Sequence, residues 1–220
     1  MNAPRIALVH AMPVAIDPVA TVFRELWPQA KTTNLLEDSL APDLAAAGSI
    51  TLEIVERIVA LARYGERCGA DAVLFTCSAF GTAIDAAKRE VKVPVLKPNE
   101  AMIEDALAAG CDLALLTTFE PSIPSLKKEL EELASGRGIK LKLKTRSIPA
   151  AIAALQQGFG AEHDRLIAVA AAEMGACDAL VLGQFSMARA AIGIPDRAGR
   201  KVLTSPHSAV TKLKRIFDVR

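Results

Sequence analysis

The feature that most constrains this chain is that it repeats itself. Residues 68–80 read Cys-Gly-Ala-Asp-Ala-Val-Leu-Phe-Thr-Cys-Ser-Ala-Phe, and residues 175–187 read Gly-Ala-Cys-Asp-Ala-Leu-Val-Leu-Gly-Gln-Phe-Ser-Met. Aligning Asp71 with Asp178 sets an offset of 107 positions, and the same offset carries Ala7-Leu8 onto Ala114-Leu115, Glu66 onto Glu173 and Val95-Leu96 onto Val202-Leu203. One half-domain is written twice. In both copies an apolar run ends in a short polar loop, where the first has Cys77 and the second Gln184. A doubled fold with a cleft between its halves would bring those two side chains to opposite sides of one pocket.

Short β-rich runs alternate with longer helical patterns: Arg5–His10, Thr32–Leu36, Ala72–Thr76 and Val93–Leu96, then Asp112–Thr117, Ile139–Lys144, Ala179–Leu182 and Lys201–Leu203. This order predicts an α/β fold of two similar half-domains related by a pseudo-two-fold duplication. Each half has a parallel sheet of about four strands flanked by helices, with the active site between the halves. Asp17-Pro18 and Ser205-Pro206 place a capping side chain before a proline, and Asn99 is placed to cap Glu100–Ala109. The amphipathic patterns Ile50–Arg67 and Glu162–Met174 are expected to cover the sheets. The last strand of the first copy leads straight into the second. The final helix is therefore expected to return to the first half, giving domains of 1–98 plus 207–220, and 99–206.

Composition removes several classes of function. A chain of 220 residues that is 51% hydrophobic can bury a substantial core. Its net charge of +1 and aromatic content of 4% offer neither the basic stripe nor the stacking surface that nucleic acids require, and they argue equally against a membrane surface. The first apolar run begins at Arg5, without room for a signal peptide, and no apolar stretch is long enough to cross a bilayer. The expected location is the cytoplasm. Cys68, Cys77, Cys111 and Cys177 show no C-x-x-C spacing and no metal-type pairing with histidine, so neither a metal site nor a disulfide framework is expected. Cys68, Cys111 and Cys177 precede apolar runs and are read as small buried hydrophobes. Cys77 follows its run, at the strand end where α/β proteins place ligands.

The residues at the other strand ends suit a carboxylate. His10, Ala11 and Met12, with Cys77, Ser78 and Ala79, come from the first copy; Thr117, Thr118, Gly183, Gln184, Phe185 and Ser186 come from the second. Small and hydroxyl-bearing side chains beside helix starts offer N–H and O–H donors to an anion. A thiol at such a start is expected to have a lowered pKa and to serve as a proton-transfer group or nucleophile. No G-x-G-x-x-G or P-loop pattern follows any strand, so no nucleotide cofactor is indicated and none of any kind is expected.

The doubled half-domain, the Phe-Thr-Cys-Ser-Ala-Phe-Gly segment at 75–81, the Leu-Leu-Thr-Thr segment at 115–118 and the Leu-Gly-x-x-Ser segment at 182–186 resemble the aspartate/glutamate/hydantoin racemase superfamily. That superfamily also includes maleate isomerases and arylmalonate decarboxylases. The resemblance implies cofactor-independent chemistry in which two cysteines face each other across the substrate's alpha carbon, one removing a proton and the other returning it. The first matches Cys77; the second falls on Gln184, where Leu-Gly-Gln-Phe replaces the family's Leu-Gly-Cys-Thr. It further implies that Ser78, Thr117, Thr118 and the amides around Gln184 to Ser186 bind the carboxylate as it takes up charge. An amide is neither a competent acid nor a competent base near neutral pH. Racemisation would thus require a second base such as His10, His207 or Ser186, whereas a single-cysteine member would be a decarboxylase of a malonate-type acid.

The leading expectation is therefore a racemase or isomerase of a small acid or amino-acid derivative, with Cys77 as acid/base and Gln184 across from it. The alternatives are a single-cysteine decarboxylase and a non-catalytic small-acid binding protein. The expected partner is a small carboxylic acid, and self-association into a homo-oligomer is left open. Simpler roles accompany each residue: Cys77 as a structural thiol, Gln184 as a loop amide, His10 as a satisfied core histidine and His207 as an exposed one. His163, within the charged run Glu162–Arg165, is expected on the solvated surface; Lys97 and Glu100 flank Asn99 either as an exposed pair or with Lys97 attracting an acidic substrate.

Overall fold

The computed structural model describes residues 3–195 and 199–218. In chain order the first half contains β1 (Arg5–His10), α1 (Ile16–Leu26), β2 (Lys31–Leu36), α2 (Leu40–Ala47), α3 (Leu52–Arg67), β3 (Ala72–Phe75), α4 (Gly81–Glu90) and β4 (Val95–Leu96). The second contains α5 (Glu100–Ala109), β5 (Asp112–Thr117), α6 (Ile123–Gly136), β6 (Lys142–Ser147), α7 (Pro149–Gln156), α8 (Gly160–Glu173), β7 (Ala179–Leu182) and β8 (Lys201–Thr204), and α9 (Ser205–Asp218) returns to the first. Three-residue 3-10 turns follow β1, β3 and β5, and a nine-residue 3-10 segment, Phe185–Gly193, follows β7. Two four-stranded sheets result, ordered β2-β1-β3-β4 and β6-β5-β7-β8, and every pairing between neighbouring strands is parallel. The chain divides into two compact units, one of residues 1–98 with 209–220 and one of residues 99–208.

The central strands read as continuous apolar runs because both of their faces are covered, as parallel sheets demand. Ile6, Leu8, Val73 and Leu74 in the first unit and Leu113, Leu115, Leu116 and Leu180 in the second have no exposed surface. The edge strands β2 and β6, Lys-Thr-Thr-Asn-Leu-Leu and Lys-Leu-Lys-Thr-Arg-Ser, are mostly exposed and polar. Within the first unit α3 lays Ile54, Ile58, Ala62 and Gly65 on the sheet at helical spacing, and the Thr51 hydroxyl caps it by accepting the Ile54 amide hydrogen at 3.3 Å. A Cβ at position 65 would lie 2.9 Å from that of Ala7, so glycine lets this helix approach β1 closely.

The repetition extends to hydrogen bonds. Asp71 and Asp178 each donate a backbone amide hydrogen, at 2.7 Å, to the carbonyl of the first residue of the central strand, Arg5 and Asp112 respectively. Each carboxylate also accepts an amide hydrogen from that same residue, both at 2.8 Å. At the opposite strand ends Thr76 donates to Val9 O at 3.0 Å, and its counterpart Gly183 donates to Leu116 O at 2.9 Å.

Several local expectations are corrected. The sixth strand is Lys142–Ser147 rather than Ile139–Lys144, because its pairing begins where β5 begins, with Lys142 opposite Asp112. Asp17 lies inside the first turn of α1 and does not cap it; the cap position is Ala15. Asn99 precedes α5 without a side-chain cap bond, and its Oδ1 instead accepts the Ser205 hydroxyl hydrogen. Cys68 and Cys111 are exposed and Cys177 half-buried, because each sits in the turn before its strand. His163 is fully buried on α8, since its position on the helix turns inward while Glu162 and Arg165 turn out. Lys97 is largely covered and donates to Asp85 at 2.8 Å.

Candidate functional site

In the first unit the loop after β3 holds Cys77, Ser78 and Ala79, while His10 ends β1 and Ala11 and Met12 follow it. β1 and β3 are neighbours in register, Val9 opposite Phe75, so the two loops leave the same edge of the sheet. Cys77 is half-buried in an extended conformation before a three-residue 3-10 turn. Its sulfur receives the Ala79 amide hydrogen, which favours the thiolate, but the surrounding apolar packing wins. Burial pushes the Cys77 thiol above its ordinary value of 9.0. This reverses the expected direction: one amide from a single turn does not offset the loss of water, and at neutral pH the group is the thiol.

His10 is fully buried, with Nδ1 2.9 Å from Thr76 Oγ1 and Nε2 2.9 Å from Asn34 Oδ1. An amide oxygen only accepts, so Nε2 carries the hydrogen, and the Nδ1 lone pair faces the Thr76 hydroxyl, whose single hydrogen is shared with Val9 O at 3.3 Å. Burial holds the imidazole below its ordinary 6.5, partly opposed by the Asn34 bond. Both ring nitrogens are thus committed, and the neutral ring has no lone pair to offer as a second base. Met12 is half-buried at the start of the next turn, Ser78 is buried and Ala79 half-buried.

In the second unit the same edge of the sheet carries Thr117, Thr118 and residues 183–186. Gln184, half-buried, occupies the position of Cys77 and is fixed from both ends. Its Oε1 accepts the Thr118 amide hydrogen at 2.7 Å and lies 3.4 Å from the Thr118 hydroxyl, while its Nε2 donates to Ser122 Oγ at 2.8 Å. The Ser122 hydroxyl in turn donates to Phe119 O at 2.7 Å. The carboxamide orientation follows from the chemistry, since only its oxygen can face a backbone N–H. Phe185 and Ser186 are buried, and Gly183 is tightly enclosed: a Cβ there would meet Leu126 at 3.0 Å. Thr117 is fully buried, and its Oγ1 has no hydrogen-bond partner. The contrast with the first unit is direct, because the positions matching His10 and Thr76 are Thr117 and Gly183 and cannot form the same bond. His207, exposed in the first turn of α9, has its Nδ1 2.7 Å from Thr204 Oγ1.

Ser122, Thr76 and Asn34 are absent from the sequence-based list although each fixes a residue on it. Only the threonine adjoining Cys77 carried a signal, by position alone. Among the described residues no cluster of three or more His, Cys, Asp and Glu side chains could hold a metal ion, and no helix is long and apolar enough to cross a membrane.

The fold is that of known racemases. A glutamate racemase isoform from Bacillus anthracis superposes with a TM-score of 0.71 at 14% identity, covering 99% of this chain and 83% of that one. An allantoin racemase from Klebsiella pneumoniae gives 0.66 at 17% identity, covering 98% and 88%. A cysteine-substituted variant of arylmalonate decarboxylase with sulfate gives 0.64 at 18% identity, covering 97% and 93%. No curated protein matches the sequence significantly. At these identities the structures establish the shared architecture, and the sequence itself carries the rest: residues 18–213 match the model of the Asp/Glu/hydantoin racemase family, to which this chain belongs.

Proposed function

We propose that this protein catalyses cofactor-free proton transfer at the carbon next to the carboxylate of a small acid or amino-acid derivative, with Cys77 as the acid/base. The observation that carries the reading is the placement of Cys77 in a family member: a half-buried thiol at the carboxyl end of β3, with the Ala79 amide on its sulfur. The reading takes Ser78, next to Cys77 in the same loop, to bind the substrate's carboxylate. Charge builds on that carboxylate as the carbanion forms, and fixed donors stabilise it most in the transition state.

Two observations favour a decarboxylase as the second reading. Cys77 is held in its proton-donating form, and the matching position in the other unit carries an amide, too weak an acid and too weak a base to transfer a proton near neutral pH. In that case loss of CO2 from a malonate-type acid leaves an enediolate, and the thiol protonates its carbon on one face only.

Proton NMR in D2O with amino acids, hydantoins, malonates and maleate tests both readings. The expected result is deuterium at the alpha carbon of one class, lost in Cys77→Ala. An absence of turnover across the panel, or turnover indifferent to Cys77→Ala, would leave a non-catalytic acid-binding protein or a different mechanism.

A further inference from the structure

Gln184 has been disposed of as a base, but its hydrogen bonds say what it can still do. A carboxamide has two acceptor positions on oxygen and two N–H donors. Thr118 engages the oxygen from both its amide, at 2.7 Å, and its hydroxyl, at 3.4 Å. Ser122 takes one N–H at 2.8 Å and cannot take it in any other sense, because its own hydrogen is spent on Phe119 O at 2.7 Å. Ser122 is 1% exposed, so water does not compete for it. The capacity left on Gln184 is one N–H, on a half-buried side chain at the carboxyl edge of the sheet.

We propose that Thr118, by taking up the oxygen, and Ser122, a positioning residue that fixes one N–H, together make Gln184 a donor-only group, so that the substrate presents an acceptor oxygen there, a second carboxylate or a carbonyl, and not an ammonium. This rests on the reading that the Gln184 loop faces the substrate, and it adds the class of acid: diacids and acylated or ureido acids over free α-amino acids. An ammonium has three donors and no acceptor, so beside a fixed N–H it would give up water for no partner. A carboxylate oxygen there gains a charge-assisted hydrogen bond whose donor is already oriented.

Methylmalonate and alanine share the methyl-bearing alpha carbon and one carboxylate, and differ in carrying a second carboxylate or an ammonium. Titration calorimetry of both into Cys77→Ser, chosen to suppress turnover, should show methylmalonate binding on the order of tenfold to a hundredfold more tightly. In the Ser122→Ala background the amide loses its anchor and the ratio should fall severalfold, while Ser122→Thr, which keeps the hydroxyl, should preserve it. Gln184→Glu should reverse the preference. A general structural role for Ser122 would weaken both ligands alike and leave the ratio unchanged. Equal or tighter binding of alanine, binding of neither acid, or a ratio unmoved by Ser122→Ala would overturn the proposal, with thermal unfolding confirming that each variant is folded. Selective binding without deuterium exchange in the wild type would retain this inference and sink the catalytic reading; exchange without selectivity would do the opposite.

Discussion

The Asp178 carboxylate accepts the Asp112 amide hydrogen at 2.8 Å, and the same oxygen accepts that of Cys111 at 2.8 Å, so one side chain ties the amino end of β7 to the amino end of β5. Gly110 is the residue that allows it, since a Cβ at 110 would lie 2.2 Å from the Asp178 carboxylate oxygen. Asp178→Ala leaves two strand-edge amides without their charged acceptor and should lower stability by about 2–3 kcal/mol in urea denaturation. Asp178→Asn keeps an acceptor and should cost about half as much. A loss below about 0.5 kcal/mol for alanine would mean that water takes over the carboxylate's place.

Cys77→Ala should remove turnover by a factor of about 10²–10⁴, the usual contribution of proton-transfer catalysis. The half-buried thiol sits at a loop, so the melting temperature should change little. A rate within about tenfold of wild type would take Cys77 out of the mechanism.

Because burial raises the Cys77 thiol, its alkylation should be slow at neutral pH and accelerate only above the ordinary thiol value of 9.0. Exposed Cys68 and Cys111 should label first in a short iodoacetamide pulse at pH 7, followed by peptide mass mapping. Preferential labelling of Cys77 would show that the amide from Ala79 outweighs burial after all.

His10 should make folding acid-sensitive. Its pKa is lowered in the folded state, so the unfolded chain binds the proton more readily. The neutral ring's stabilisation is fully present above 6.5 and is lost as pH falls through the lower folded value. Urea midpoints of wild type and His10→Gln between pH 7.5 and about 5 should converge towards the acid end. A parallel pair of curves would mean that the ring protonates without cost.

Gln184→Cys restores a thiol at the position that matches Cys77 in the duplicated pattern. On the proposed reading it should create or raise racemisation of a chiral acid, followed by circular dichroism, while the wild type remains one-sided in product or exchanges the alpha proton with retention. Wild-type racemisation unaffected by Gln184→Ala and by changes at His10 and His207 would require a base elsewhere.

The architecture was legible because duplication constrains two halves at once: β1, β5 and β7 begin and end where their apolar runs do. β6 was misplaced by three residues since the alternation Ile139, Leu141, Leu143 starts before β5 offers a partner. His163 was misread because the charge of its neighbours describes the helix's outer face and not its own. The strand-end residues could be named from their position, but their chemistry could not. The direction of the Cys77 shift depends on packing around the sulfur, and the constraint on Gln184 comes from Ser122, 62 positions earlier, through a hydrogen bond without a local sequence signature.

α9 has a consequence for synthesis. Ala209, Val210 and Leu213 are fully buried in the first unit, where the Phe217 ring packs 5.6 Å from that of Trp27. On the ribosome the first unit therefore emerges early but lacks its last wall until α9 has followed residues 99–208, which form one continuous segment. The half that is written first is finished last. A chain stalled or cleaved near residue 208 would release an intact second unit attached to a first one with Trp27 uncovered, a species that a folding-quality protease would recognise.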